Sequence, residues 1–234
     1  MTVLSAVQNA CRLPSMGIHP APTTLFTSTD QQEIQLCNLA NECAQIIAKA
    51  HDWRKLTTLK TQAGDGATTA FSLPADFDRM PVNSSVFLTS TAAPLARVED
   101  TDQWLALGLT SVAGTAGAWF IIGGTINVKP AVAASTSIKF YYQSNLIVDP
   151  ASGDNKTAFT LDSDAFMLNE RLLTSCLQFK WRSQNGLDYQ QELSDFNMAM
   201  GQEVARDKGS RILHVGRARM PSGVTLAYPG TVGV

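Results

Sequence analysis

The sequence predicts an α+β fold: a helical bundle of about four helices, interrupted by an inserted antiparallel β domain and followed by an extended C-terminal tail. Three observations predict it. Apolar residues recur at steps of three and four before residue 55 and again after residue 159. Between those stretches, short β-branched and aromatic runs alternate with turn residues. Beyond residue 208, Pro221, Pro229 and scattered glycines end the periodicity. The expected boundaries are therefore 1–54 and 159–208 for the two parts of the bundle, 55–158 for the β insertion and 209–234 for the tail. Each helical part has one apolar face, so the two need each other to bury it.

Residues 2–13 read as a short helix with Val3, Leu4, Val7, Ala10 and Cys11 on its apolar face, ended by Pro14. "GIHPAPTTLF" is a linker, because its prolines leave no room for regular structure. Ser28, Thr29 and Asp30 then supply capping oxygens, with Gln31, Gln32 and Glu33 three residues on. Leu36, Ala40, Cys43, Ile47 and Ala50 mark the buried face of a long helix, widened by Leu39, Ile46 and Trp53 and ending near Trp53 or Arg54.

In the β region, "KLTTLKT" and "TTAFSLP" flank Ala63-Gly64-Asp65-Gly66 as a hairpin. "SVFLTS" and "LARVED" flank a turn holding Pro94. "AWFII" and "TINVKP" flank Gly123-Gly124, the clearest two-residue hairpin signal. "SIKFYYQSNLIV" reads as one long strand, and "TDQWLALGL" as one or two helical turns. Short connections favour an antiparallel sheet or small barrel. After Thr160, Phe166, Leu172, Leu173, Cys176, Leu177 and Trp181 form a helical face, broken at Asn185-Gly186. Tyr189, Leu193, Phe196, Met200 and Val204 mark a last helix, closed by Asp207-Lys208-Gly209.

Composition narrows the function. Acidic and basic residues number 20 and 18, which argues against tight nonspecific binding to nucleic acid. Charged residues make up only 16% of the chain, a composition suited to a surface covered by partners. Cys11, Cys37, Cys43 and Cys176 lie in helical segments with no CxxC pair, so free thiols and a reducing compartment are expected. The first residues hold no signal-peptide pattern, and the apolar run "AWFIIGG" is too short to span a bilayer. Without a secretory signal, the acceptor patterns at Asn83 and Asn155 read as chance.

Candidate chemistry centres on carboxylates. Asp162 and Asp164 precede a helical pattern, where they would cap free N–H groups and favour the positive end of the helix dipole. The alternative is a divalent metal site with Asp149, Asp154 and Asp162, but "DPASGDNKTAFTLD" lacks the alternating ligands and closing glutamate of a calcium loop. His19, His51 and His214 have no neighbour at ligand spacing. His51-Asp52 offers a base and an orienter, although a contact between His51 and the last carbonyls of its helix is favoured. Asp76 and Asp78 in "FSLPADFDRM" have no converging partners, and Phe71, Leu73 and Phe77 anchor that segment to the core. Lys180, Trp181, Arg182 and Tyr189 could stack on and neutralise a nucleic acid; as a helix end, they set cations against its dipole and aromatics in the core. No nucleophile elbow, P-loop or dinucleotide glycine pattern occurs. The chain therefore reads as non-enzymatic, with no catalytic, metal or cofactor residue assigned.

The tail carries the candidate binding residues: Arg211, Arg217 and Arg219 among Ile212, Leu213, Val215, Val224, Leu226 and Tyr228. It is too apolar for a solvated tail and too aperiodic for a helix. Such a segment adds to another chain's sheet edge or groove, or packs as a strand on its own domain.

"HDWRKL", "FSLPADFDRM", "LDSDAFMLNERLLTSCLQFKWRSQNGLDYQQEL" and "ARDKG", in that order, resemble the head-to-tail adaptor (connector) proteins of tailed bacteriophages, of the tail-tubular-protein-A-like, portal-binding kind. The resemblance covers roughly residues 1–208. It implies a virion structural protein with a helical bundle and β insertion, assembled in the host cytoplasm and sited at the neck. It further implies a homo-oligomeric ring, typically of twelve subunits, that binds the portal protein, docks tail or nozzle proteins and passes DNA without specific binding. No cofactor and no membrane association are implied. Two other classes stay open on the residues alone: another neck or tail component such as a terminator or tube protein, and a metal-dependent hydrolase using the aspartates.

Overall fold

The computed structural model describes residues 2–82, 84–90, 94–109 and 117–208. Five α-helices and several mainly antiparallel sheets lie among them, so the fold is α+β.

Helix α1 (Val3–Arg12) starts at Thr2, whose hydroxyl accepts from Ser5 N–H, and buries Val3, Ala6, Val7, Ala10 and Cys11. Helix α2 (Gln31–Ala50) starts at Asp30, whose carboxylate accepts from Gln32 N–H at 3.2 Å. It ends at Ala50, three residues before the expected Trp53. Ala50 itself is exposed. Trp53 is buried all the same, because its indole N–H donates back to the Ile47 carbonyl at 2.8 Å. Helix α4 (Glu170–Gln184) is the hub: it packs against α1, α2 and α5 (Gln190–Lys208), and its Leu172, Leu173, Cys176 and Leu177 are fully buried. Asn185 and Gly186, the latter at φ 68°, end it as the sequence indicates. Helix α5 is peripheral; it buries only Phe196 and Ala199, while Leu193, Met200 and Val204 pack half-buried on the core. One hydrophobic core joins residues from both helical stretches, about 120 residues apart in sequence, the spacing that loop closure tolerates at little extra cost.

The four cysteines are free thiols within this core. Burial pushes Cys11 and Cys37 up to about 11, and burial followed by the hydrogen bond with Cys176 pushes Cys43 upward. Since the thiolate is the reactive form, the folded chain should leave all four unlabelled by a maleimide at pH 7.5, and label all four in guanidinium. Labelling of two or more in the native state would contradict the packing of α1, α2 and α4.

The β segment forms two four-stranded sheets that share a second core. In the first, β8 (Ser137–Ser144) pairs with β1 (Thr57–Ala63) along one edge, and with β3 (Phe77–Arg79) and β4 (Phe87–Leu88) along the other. In the second, the order is β2 (Ala70–Ser72), β7 (Thr125–Lys129), β6 (Ala118–Ile122) and β5 (Ala96–Arg97). Alternate residues of β8 (Ile138, Phe140, Tyr142) face Trp119, Ile126 and Val128 across the interior, with Phe71, Val86 and Leu95 around them. The Gly123-Gly124 hairpin joins β6 and β7 as expected. Helix α3 (Thr101–Leu109) is the helical stretch foreseen between strands, and Trp104 stacks on Phe120 at 5.8 Å.

Several expectations are corrected here. The segments around Ala63-Gly64-Asp65-Gly66 do not form a hairpin; β1 and β2 belong to different sheets. The turn lies on the loop before β8 instead, with Gly64 N–H donating to Thr136 O and Gly66 N–H to Val132 O, both at 2.9 Å. A Cβ on Gly64 would collide with the Val132 and Ala133 carbonyls, so this close backbone approach requires glycine. Likewise "SVFLTS" and "LARVED" supply β4 and β5 to separate sheets, tied by a bridge between Phe87 and Pro94. The β5–β6 pair is parallel. The long strand expected from Ser137 breaks after Ser144, and Val148–Asp149 (β9) pairs with Ala165–Phe166 (β10) in a separate ladder. Phe166 is thus on a strand, not on α4.

Candidate functional site

The carboxylates of Asp162 and Asp164 cap no helix, although their backbone carbonyls meet the first N–H groups of α1. The cap of α4 is Asn169, whose side-chain Oδ1 accepts from Arg171 N–H at 2.9 Å. Asp162 Oδ1 instead accepts from Leu25 and Phe26 N–H, each at 3.0 Å, and so pins the proline-rich linker between α1 and α2. Asp164 is fully buried. Its carboxylate accepts from Thr160 N–H at 2.8 Å, Leu161 N–H at 3.0 Å and the Lys156 ammonium at 3.0 and 3.2 Å. Its backbone carbonyl accepts from Val3 N–H at 2.7 Å. Burial raises the carboxyl pKa, but the hydrogen bonds from Thr160, Lys156 and Leu161 outweigh it, and the net direction is downward. The two aspartates are brackets that lock the chain's return from the β segment onto α1 and the linker. Among the described residues, no group of three or more His, Cys, Asp or Glu is placed to hold a metal ion.

The other candidates are likewise held in structural pairs. Lys180 Nζ meets Glu42 Oε1 at 2.6 Å, which favours its charged form. Arg182 pairs with Glu192 at 3.3 Å and donates to the Ser15 carbonyl, and Trp181 is buried. These cations are engaged within the fold rather than offered to phosphates. Asp76 accepts from Tyr142 Oη at 2.9 Å and Ser144 Oγ at 2.8 Å, and burial followed by the Asp76 contact pushes the phenol up to about 12.

His51 and Asp52 do not pair with each other. His51 Nε2 lies 3.1 Å from Asp207 Oδ2 on α5, not against the carbonyls of its own helix, and its ring packs edge-on to Trp53. Asp207 also accepts from Arg54 N–H, and Arg54 Nη2 donates to the Lys208 carbonyl at 2.9 Å. Asp52 instead accepts from Arg79 Nε at 3.0 Å and Val82 N–H at 2.7 Å. Arg79 completes the set with Asp78 at 2.6 Å and the His51 carbonyl at 2.9 Å. A single guanidinium thus ties strand β3 to the end of α2, next to the place where α5 ends and the C-terminal segment departs. Beside that exit lies a cavity of about 340 Å³ lined in part by Trp53, Met167, Leu168 and Asp207.

Arg79 receives no role from the sequence, and Asp52, Arg54 and Asp207 none in this linkage: Asp52 reads beside His51, Arg54 as a helix end and Asp207 as a helix stop. Apart from Asp78 next to Arg79, their partners lie 27 to 156 residues away, and nothing local announces them. The nine tail residues proposed for partner binding (Arg211, Ile212, Leu213, Val215, Arg217, Arg219, Val224, Leu226 and Tyr228) lie outside the described residues.

The solvent face of the first sheet carries a second feature. Leu59 and Tyr141 sit directly opposite each other and are about half exposed, and Phe87 lies one row away across Lys139. These exposed large side chains thus occupy neighbouring positions of one sheet face. Among the described residues, no helix is long and apolar enough to cross a membrane.

The model of a protein family described as SU10 adaptor protein matches residues 1–221. That span extends the resemblance seen in the sequence by 13 residues beyond 208, taking in Arg211 to Arg219. No curated protein matches the chain.

Proposed function

Because the chain belongs to the SU10 adaptor protein family, we propose that it forms a ring beneath the portal of a tailed bacteriophage, extends the DNA channel and docks the tail. Membership of that family makes the protein a structural adaptor of a phage particle. The match over 221 of 234 residues carries it. The ring, of about twelve copies as in adaptors of this kind, closes through heterologous contacts between identical subunits. DNA slides through because the channel offers few free cations: net charge is −2, and Lys180 and Arg182 are already paired with carboxylates. The sheet face bearing Leu59, Phe87 and Tyr141 is turned to tail components. Residues 210–234, through Arg211, Ile212, Leu213, Val215, Arg217, Arg219, Val224, Leu226 and Tyr228, clasp the portal or a neighbouring subunit. The neck of the virion is its site, reached after assembly in the host cytoplasm.

Deleting residues 210–234 tests the clasp. The truncated chain should fold, with the melting temperature of the body unchanged, but its incorporation into portal complexes should fall at least tenfold. Full incorporation of the truncated chain would refute the clasp.

A further inference from the structure

The open side of the β sandwich holds a groove of about 600 Å³ between β3 of one sheet and β5 and β6 of the other. Phe77, Met80, Val98, Trp119 and Phe120 supply its apolar wall. Among the described residues β5 is an edge strand. Ala96 and Val98 donate their N–H groups to β6, so the Arg97 N–H and carbonyl face the other way, as parallel pairing requires. Trp119 is buried, and its indole N–H has no acceptor, which a native interior seldom tolerates. Arg97 covers that ring at 5.7 Å, on a side chain more than half exposed and held otherwise only by an exposed ion pair with Glu99 at 4.0 Å. Glu99 stands at the lip, with Asp100 and Asp102 next in the chain, and all three are exposed.

The C-terminal segment has the complementary chemistry. Residues 223–229 read Gly-Val-Thr-Leu-Ala-Tyr-Pro: three apolar side chains at every second position, bounded by turn formers. Three of the chain's 18 basic residues and none of its 20 acidic ones lie in 209–234, so residues 1–208 hold 15 against 20, a net charge of −5.

We propose that residues 224–228 of one copy add as a strand to the free edge of β5 on the next copy. Val224, Leu226 and Tyr228 enter the groove, a backbone carbonyl accepts from Trp119 Nε1 as Arg97 moves aside, and Arg217 and Arg219 pass the acidic lip. Chain length reaches a neighbour as well as the chain's own groove. Arg79 on the groove wall touches the His51 carbonyl, and His51 touches Asp207, so about five extended residues would reach the chain's own groove. The 15 residues from 209 to 223 reach about 50 Å when extended. A 208-residue body has a radius of gyration of about 17 Å and is about 43 Å across, one subunit step in a ring. The inference rests on the ring reading above.

The test is a cysteine pair on the sheet face away from the groove, Ala96→Cys with Thr225→Cys, in the full chain assembled with portal; Ala96 is exposed, and the native thiols are buried and do not compete. Mild oxidation should give a ladder of covalent dimers, trimers and higher species on a denaturing gel. Adding Val224→Asp and Leu226→Asp should cut the ladder at least tenfold without changing the melting temperature of the body. Rings of normal mass with no ladder, with only intrachain disulfides, or with a ladder that survives the two aspartates would overturn the inference and leave the ring reading standing. Absence of rings from the unmodified protein would overturn the ring reading, and the inference with it.

Discussion

Asp164→Ala should lower the melting temperature by on the order of 10 °C. The substitution removes a fully buried carboxylate and strands what it holds: the Thr160 and Leu161 N–H groups and the Lys156 ammonium. Breaking a buried charged pair by removing one partner costs about 3–5 kcal/mol; Lys156 is 28% exposed and keeps some water, so the low end applies, set by the stranded N–H groups. At about 2–4 °C per kcal/mol for a chain of this size, the shift is large and easily measured. Asp164→Asn keeps the volume and one acceptor and should recover only part of the loss. The pH dependence follows from the direction of the pKa. The folded carboxyl is held below its ordinary value, so its contribution is complete above about pH 4 and is lost as pH falls through the folded value. The stability gap between wild type and Asp164→Asn, from urea melts at several pH values, should therefore shrink below about pH 4. A gap that stays constant to pH 2 would contradict the bracket.

Arg79→Ala should cost about 2–3 kcal/mol, with the damage confined to the seam between β3 and the end of α2. The guanidinium meets two carboxylates and a backbone carbonyl at 2.6 to 3.0 Å, in geometry that an ammonium cannot copy. Its side chain is 31% exposed, which keeps the figure below that of a fully buried pair. Arg79→Lys should recover less than half. Amide hydrogen exchange should rise in residues 77–82 and at the C-terminal end of α2 while α4 stays protected. A uniform loss of protection through α4 would show that the seam is not a separate link.

The helices were legible because a buried face imposes a period that the sequence must carry. Leu36, Ala40, Cys43 and Ile47 state it for α2, and Leu172, Leu173, Cys176 and Leu177 for α4. The β6–β7 hairpin was legible because its turn chemistry is local. The role of Asp162 and Asp164 was not, since an aspartate that caps a helix and one that brackets a loop stand at the same distance before it; the partners of Asp162, Leu25 and Phe26, lie more than 130 residues away. The false hairpin around Gly64 has the same cause. Gly-Asp-Gly between two β-like runs looks alike whether the runs pair with each other or, as here, β1 pairs with β8 from Thr57 opposite Gln143 onward. Of the candidate partner surface, the sequence marked the tail through composition alone, while the groove lining and the Arg79 link arise from long-range pairing that no window of sequence contains.

The most direct test of the adaptor assignment is the mass and symmetry of the full chain bound to its portal, by native mass measurement and electron microscopy of the same sample. A single closed ring of fixed copy number, about twelve, seated under the portal is the expected result. A chain that remains one copy per portal, or never leaves the monomer, would contradict it.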